Sequence, residues 1–311
     1  MGEWSKKIGE YGEKVVENFF SIIGWNDLQN GNSIPCINSK KHLNEQGNPK
    51  ETHGIDFMYS YINPLVSGQL NNVIISSKFK TTKYPNSPTK LFKDFMDDLV
   101  TTLECFDGSQ LKSNIAPAFS CSSINDVGVL FWLNNQQDSA DDLISVVSSA
   151  RIIDTQMNNA IYIMDNKRVA FILKVMEYIK TKTDKFNYSF YYPNTGQNIN
   201  PQIRQNIGSV LPVEYLNSSI IPIKLENKDN SKETSLFLAT IDNFEEEDLI
   251  RLIGLAKDIT TDLVGDVIIA FPDYEELNHK NTVSLAKQKF QSPDFTKTIS
   301  VVNFNNSLNV Y

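Results

Sequence analysis

The sequence predicts an α/β protein, and three observations support that fold class. Amphipathic segments with helical periodicity alternate with short segments rich in β-branched and aromatic residues. Residues 127–133 are wholly apolar, which is typical of a central strand covered on both faces. Hydrophobic residues make up 41% of the 311 residues and charged residues 21%, so the chain can bury a core in one or two domains.

The N-terminal part is predicted to run helix, weak strand, strand, strand, helix, strand. The first helix carries apolar side chains at helical spacing on one face, and Gly24 and Trp25 end it. The second and third strands are separated by a turn rich in Asn, Gly and Pro. The predicted ranges are 5–22, 33–37, 54–62, 73–80, 89–104 and 127–133.

The rest of the chain is predicted to continue as α/β structure without an internal repeat. Residues 185–213 contain no acid and are rich in Asn, Gln, Tyr and Pro, which indicates a strand followed by a long loop or linker. We therefore expect a larger domain over residues 1–200 and a smaller, acidic α/β module over residues 201–311. The predicted helices are 140–150, 167–181, 243–258 and 280–290, and the predicted strands are 160–164, 219–225, 235–241, 266–271 and 298–304.

The net charge of −8, taken alone, argues against a nucleic-acid partner. The charge is, however, distributed unevenly along the chain. Residues 1–204 carry 20 Lys or Arg against 21 Asp or Glu, whereas residues 205–311 carry nine against 16. Residues 57–93 contain five lysines and no acid. A site that admits phosphates has such a bias, and so has an ordinary polar surface.

Several classes of protein are disfavoured by the sequence. No apolar run is long enough to span a bilayer, and the N-terminus lacks the apolar segment of a signal peptide. The cysteines Cys36, Cys105 and Cys121 form no CxxC pair, which argues against a disulfide framework and a structural zinc site and favours a cytoplasmic location. The spacing of Cys36, His42 and His53 matches no closed zinc site, so none is predicted there.

Candidate catalytic residues occur on two successive predicted strands. Asp56 lies in the first strand, and Ser76, Ser77 and Lys78 lie in the second, where residues two apart point to the same face. Glu13 lies on the preceding helix. Hydrolysis of a phosphodiester requires divalent cations held by carboxylates, an activated water and neutralisation of charge on the reacting oxygens. A carboxylate and a lysine on adjacent strands are suited to that chemistry.

These motifs resemble those of the PD-(D/E)xK, restriction-endonuclease-like nucleases. Gly9-Glu10-Tyr11-Gly12-Glu13 is similar to the opening of the first helix in that superfamily. His53-Gly54-Ile55-Asp56 is similar to its "PD" strand, and Ser76-Ser77-Lys78 to its (D/E)xK motif. The resemblance covers residues 5–133 and implies an αβββαβ core, a mixed sheet flanked by helices.

The resemblance also implies a role for each residue. Asp56 and the carbonyl of Ser77 would bind Mg²⁺ or Mn²⁺, with Glu13 supporting the metal, and Lys78 would orient the water and the scissile phosphate. Lys80, Lys83 and His53 would contact nucleic acid, with DNA favoured over RNA. The implied protein is an Mg²⁺-dependent endonuclease that does not bind a membrane. It would act with a protein partner or as a homo-oligomer, in a phage-defence or restriction-like complex.

Ser76 departs from the motif, because the superfamily has Asp or Glu at that position. The acid has either moved to another element or been lost. Candidates for a relocated acid are Glu13, Glu17, Asp94 and Asp98. With the acid lost, the chain would be an inactive nuclease-fold module that binds nucleic acid or a protein.

Purely structural interpretations of single residues also stay open. Glu13 and the aspartates of the predicted helix 89–104 are typical of solvated helix faces, and Asp56 alone is typical of a strand edge. Tyr188, Tyr191 and Tyr192 are able to stack on bases or to fill a core. A third possibility for the whole chain is an α/β scaffold that does not bind nucleic acid.

Overall fold

The chain folds into two structural units, each built on its own β-sheet. The computed structural model describes residues 2–44, 46–135, 142–150, 159–200, 202–260 and 265–305. The first unit comprises residues 1–170 and 212–217, and the second comprises residues 171–211 and 218–311. Among the described residues, no helix combines the length and apolarity that a membrane crossing requires.

The first unit follows the order of elements that the sequence predicts. Its elements are α1 (Gly2–Ile22), β1 (Gln29–Pro35), β2 (Thr52–Ile62), β3 (Gln69–Lys80), α2 (Thr89–Asp107), α3 (Gln110–Ile115), β4 (Ser123–Asn134), α4 (Leu143–Val147) and β5 (Ile161–Met164). The short helix α3 was not predicted, and residues 140–141 of the predicted helix 140–150 lie outside the described residues.

The sheet of this unit is mixed, with strand order β1-β2-β3-β4-β5. The first three strands pair antiparallel, and β4 and β5 extend the sheet in parallel. The helix α2 connects the parallel strands β3 and β4, as a parallel pair requires. The predicted restriction-endonuclease-like αβββαβ core, a mixed sheet flanked by helices, is therefore confirmed.

The helices α1 and α2 cover opposite faces of the sheet. On the α1 face, the ring of Phe20 contacts those of Phe57 and Phe131. On the α2 face, Leu99 and Leu103 belong to a buried cluster with residues of β3 and β4. Because both faces are covered, β4 is buried along residues 126–134, which explains its wholly apolar run.

A close contact sets the position of α1 against the end of β3. Gly12 is buried beside Phe79, and a Cβ atom at Gly12 would overlap the Phe79 side chain, 2.8 Å from its Cγ. The neighbouring Tyr11 packs edge-on against the same ring, with 5.6 Å between centroids. A glycine is therefore needed at this point of the helix, one residue before Glu13.

The second unit contains a six-stranded sheet, with strand order β11-β10-β9-β8-β6-β7. Its helix α6 begins with Glu246, Glu247 and Asp248, which suits the preference of acids for the first helical turn. Its elements are α5 (Asn166–Lys180, which starts in the first unit), β6 (Phe186–Tyr191), β7 (Ile207–Gly208), β8 (Ile220–Asn227), β9 (Thr234–Thr240), α6 (Glu246–Ile259), β10 (Gly265–Phe271), α7 (Glu276–Gln288), α8 (Pro293–Lys297) and β11 (Ile299–Asn303).

The two sheets share one topology, although the sequence shows no repeat. In the second unit β6, β8 and β9 pair antiparallel, α6 follows, and β10 and β11 extend the sheet in parallel. This is the order and direction of β1, β2, β3, β4 and β5 in the first unit, with the two-residue strand β7 added at the edge. Residues 234–250 contain no Lys or Arg, so the third strand of the second sheet carries no counterpart of Lys78.

The division between the units differs from the predicted boundary at residue 200. Residues 171–200 belong to the second unit, because β6 pairs with β8 rather than with a strand of the first sheet. Residues 212–217 return to the first unit, where the Val213 amide donates to the hydroxyl of Tyr61.

Tyr191 and Tyr192 are 1% and 2% exposed, so they fill a core instead of offering rings to bases.

Candidate active site

Asp56 is held against the neighbouring strand β3 by a main-chain hydrogen bond. Its Oδ2 accepts from the Ser77 amide at 2.7 Å. The regular β2–β3 ladder ends at the pair Phe57 and Ile75, so the next residues along the two strands are Asp56 and Ser76. The structure thus brings together the two strand motifs that were predicted to lie on adjacent strands.

Lys78 projects from β3 toward α2. Its Nζ lies 3.6 Å from Oδ2 of Asp98 and 5.6 Å from the ring centroid of Phe95. The Lys78 side chain is 26% exposed, so the ammonium group is partly shielded but accessible. Ser76, two residues earlier, is 8% exposed and adds a hydroxyl where the motif has a carboxylate.

Asp98 supplies a carboxylate beside Lys78, and it is shared with a second lysine. Lys50 Nζ donates to Asp98 Oδ1 at 2.7 Å. Burial alone would raise the pKa of Asp98, but the Lys50 hydrogen bond and the charge of Lys78 hold that pKa below its ordinary value. Asp98 therefore stays ionised at neutral pH, whereas Asp94 and Asp97 are exposed on the same helix.

Glu13 lies on the helix that covers the other face of the sheet. Its side chain is exposed, and the preceding residue, Gly12, packs on Phe79. Adjacent strand residues point to opposite faces, so Phe79 faces α1 while Lys78 faces α2. Among the predicted relocated acids, Asp98 is the one that the structure places against Lys78.

Lys80 and Lys83 lie at the exposed end of β3 and in the loop that follows it. Both are exposed, as a phosphate contact requires. Lys83 also lines a cleft of about 270 Å³ together with Tyr84, Asp142 and Leu143. The contact of Lys80 and Lys83 with nucleic acid stays a prediction.

His53 does not match its predicted contact with nucleic acid. Its side chain is 2% exposed and its Nε2 lies 3.3 Å from Nδ1 of His42, inside the protein. Burial, together with the charge of Lys50, lowers the pKa of His53 to about 4, so the ring is neutral at pH 7. A buried, neutral imidazole offers neither surface nor charge to a phosphate, and the expectation for His53 is corrected.

Lys50 is a further residue of this site and was not predicted from the sequence. Lys50 lies in the segment that connects β1 and β2, whose composition of Asn, Gly and Lys predicts only a loop. The Lys50–Asp98 contact joins residues 48 positions apart, and no local pattern reports such a pair.

The mixed αβββαβ sheet, with a strand-borne carboxylate and a lysine on the adjacent strand, defines a nuclease of the restriction-endonuclease-like class. The family model of the GAPS4 protein PD-(D/E)XK nuclease domain matches residues 1–168, more than half of the 311-residue chain. The chain belongs to that family. Among curated proteins, none matches the chain.

The donors around Asp56 fit a hard divalent cation. The Asp56 carboxylate, oriented by the Ser77 amide, offers oxygen atoms, and the carboxylate of Asp98, which lies beside Lys78, is a further oxygen donor of this unit. Mg²⁺ and Mn²⁺ prefer carboxylate, carbonyl and water oxygens over nitrogen and sulfur. The residues present are therefore compatible with either ion.

Replacing Asp98 by asparagine is expected to lower kcat by about tenfold to a hundredfold, because Lys78 loses the carboxylate that positions it. Steady-state cleavage of a duplex substrate measures the effect. Asp97→Asn is the matched control, since Asp97 is exposed on the same turn, and it should leave kcat unchanged. Asp98→Glu should restore part of the rate. Equal rates for the two asparagine variants would contradict the role of Asp98.

Proposed function

We propose that this chain is a divalent-metal-dependent endonuclease that hydrolyses DNA phosphodiester bonds. The observation that carries the proposal is the arrangement of Asp56, Ser77 and Lys78 on adjacent strands, just beyond the last pair of the β2–β3 ladder, with the Asp56 carboxylate fixed by the Ser77 amide. Membership of the PD-(D/E)XK nuclease family supports hydrolysis of nucleic acid. The proposal goes beyond family membership in three respects: metal dependence, DNA as the substrate and endonucleolytic cleavage.

Asp56 and the main-chain carbonyl of Ser77 would hold Mg²⁺ or Mn²⁺. When bound, such an ion lowers the pKa of a water and neutralises charge that develops on the phosphate oxygens. Fixing Asp56 by a main-chain donor reduces the reorganisation needed for the carboxylate to act as a ligand. Lys78 would bind a non-bridging phosphate oxygen and orient the attacking water.

Asp98 would supply the acid that Ser76 does not. It lies on the same face as Lys78 and remains ionised at neutral pH. With Asp98 the site would have two carboxylates, whose combined negative charge would hold a hard cation more tightly than water molecules do. Glu13, predicted as a support for the metal, would act less directly, because α1 lies on the other face of the sheet.

The chain would work with a partner, either a second protein or further copies of itself. Residues 205–311 carry nine basic and 16 acidic side chains, a charge that repels the DNA backbone. That segment is therefore better suited to a protein contact than to DNA. A subunit of a phage-defence or restriction-like complex in the cytoplasm fits this arrangement.

A second candidate function is that of an inactive nuclease-fold module that binds nucleic acid or a protein. The observation that favours it is Ser76, a buried hydroxyl in the position of a metal-binding acid. A hydroxyl is a neutral oxygen donor and adds no charge to attract a divalent cation. The two functions make opposite predictions about cleavage.

The purified chain is expected to cut duplex DNA in Mg²⁺ or Mn²⁺ and to stop when EDTA removes the ion. Activity should return when excess Mg²⁺ is added, and Ca²⁺ should support binding with little turnover. Gel-based cleavage of supercoiled and linear DNA, with matched RNA, measures metal and substrate preference together. Metal-independent cleavage, or DNA binding without cleavage under any divalent ion, would reject the proposed endonuclease.

A further inference from the structure

Four side chains that bind soft metals meet inside the first unit. Cys36 follows β1, His42 lies in the connection to β2, His53 lies in β2 and Cys105 lies near the end of α2. One nitrogen or sulfur atom from each lies within 4.8 Å of every other one. His42, His53 and Cys105 are at most 4% exposed, and Cys36 is half-buried.

The separations of these atoms match a tetrahedron of zinc ligands. With Zn–S of about 2.3 Å and Zn–N of about 2.05 Å, tetrahedral geometry places two sulfurs about 3.8 Å apart, two nitrogens about 3.3 Å apart and a sulfur and a nitrogen about 3.6 Å apart. The Cys36 and Cys105 sulfurs are 3.9 Å apart. His42 Nδ1 lies 3.3 Å from His53 Nε2 and 3.4 Å from each sulfur.

Each histidine has an inner ring nitrogen that faces the cluster and an outer ring nitrogen that points away from it. The outer nitrogens have the hydrogen-bond partners that metal-bound histidines use. His42 Nε2 lies 2.9 Å from Oε2 of Glu104, and His53 Nδ1 lies 3.5 Å from the hydroxyl of Thr102. A carboxylate that accepts from the outer nitrogen leaves a lone pair on the inner nitrogen. The inner lone pair of His42 is therefore directed at the centre of the cluster.

Hydrogen bonding alone does not account for this cluster. One inner nitrogen of His42 has three close neighbours, and a single lone pair accepts one good hydrogen bond. A disulfide would bring the sulfurs of Cys36 and Cys105 to about 2.05 Å and would leave both histidines unexplained. Converging lone pairs in a buried space repel one another unless a cation lies between them.

We propose that Cys36, His42, His53 and Cys105 bind one structural Zn²⁺ ion. Two thiolates and two imidazoles are the donor set that selects zinc over Mg²⁺. Four protein ligands leave no open position for substrate, so the ion stabilises the fold instead of taking part in hydrolysis. It ties the β1–β2 connection to α2, the helix that also carries Asp98.

The sequence-based expectation of no zinc site is thereby revised. That expectation used the spacing of Cys36, His42 and His53, which provides only three ligands over a short segment. The fourth ligand, Cys105, comes from a helix 52 residues beyond His53 in the chain. Cys121 does not belong to the cluster.

The test measures zinc in the full-length chain by mass spectrometry after dialysis against a weak chelator. About one zinc per chain is expected for the unmodified protein and for Cys121→Ser, the matched control, because Cys121 is no ligand. Cys36→Ser, Cys105→Ser and His42→Ala should each lose most of the zinc. Substoichiometric zinc in the unmodified chain, or an equal loss in Cys121→Ser, would overturn the proposal.

A second measurement needs no variant and so does not depend on whether the variants fold. Co²⁺ added to the metal-stripped chain should give thiolate-to-cobalt absorption that saturates at one equivalent and disappears on addition of Zn²⁺. Absence of that absorption would overturn the proposal, as would recovery of one free thiol instead of three after denaturation in EDTA. Zinc content does not depend on cleavage, so a chain that binds zinc but cuts nothing would reject the proposed nuclease alone.

Discussion

Asp56→Asn is expected to abolish metal-dependent cleavage, lowering the rate by roughly three orders of magnitude or more, because the metal loses its principal anionic ligand. Asparagine has nearly the shape of aspartate, and its carbonyl oxygen still accepts from the Ser77 amide. The substitution therefore removes the charge while the strand pair keeps its contact. Single-turnover cleavage with saturating enzyme measures the loss directly.

The interpretation of this loss depends on an intact fold. Thermal unfolding of Asp56→Asn should match the unmodified chain, since the side chain is only partly buried and keeps its hydrogen bond. Asp97→Asn serves as a charge-matched control at an exposed position and should cut normally. A well-folded Asp56→Asn protein that cuts DNA at the normal rate would exclude Asp56 as the metal ligand.

Lys78→Met is expected to lower kcat by about a hundredfold to a thousandfold, with DNA affinity reduced only a few-fold. The reason is that charge on the phosphate oxygens grows in the transition state, so a fixed ammonium group stabilises that state more than the bound substrate. Methionine retains the apolar stem that packs near Phe95 and removes the charge. Single-turnover rates and equilibrium binding in Ca²⁺ separate the two effects.

Lys80→Met provides the comparison for Lys78. Lys80 lies two residues further along the same strand and is exposed. The substitution Lys80→Met should weaken DNA binding at low salt, reduce the salt dependence of the affinity and leave kcat unchanged, as expected when a phosphate contact is lost. If Lys78→Met and Lys80→Met lose affinity and turnover in the same proportion, Lys78 is a phosphate contact and not part of the catalytic machinery.

The fold of the first unit was predictable because its signals are local. The apolar periodicity before Ile22 predicts a helix, and the apolar run before Asn134 predicts a strand buried on both faces. The antiparallel pairing of β2 and β3 follows from the short turn between them. Such features depend on neighbouring residues, so they can be inferred without knowing where distant parts of the chain lie.

The domain boundary and the repeated topology were not predictable in this way. Residues 185–213 indicate a strand followed by a loop or linker, but nothing in their composition shows that this strand, β6, pairs with β8. Pairing of strands separated by a long loop is decided by burial and register across the whole sheet, which composition does not encode. The two sheets share an order of strands without sharing a sequence pattern, because topology constrains connections more than it constrains side chains.

The sequence by itself determined the class of protein and the two residues on which its proposed chemistry depends. Asp56 and Lys78 were recognisable because each lies within a short motif on a strand. Only the tertiary structure placed Asp98 beside both Lys78 and Lys50, and Cys105 beside Cys36, His42 and His53. The physical reason is that α2 packs across the sheet, and side-chain contacts between a helix and distant strands depend on that packing and not on spacing along the chain.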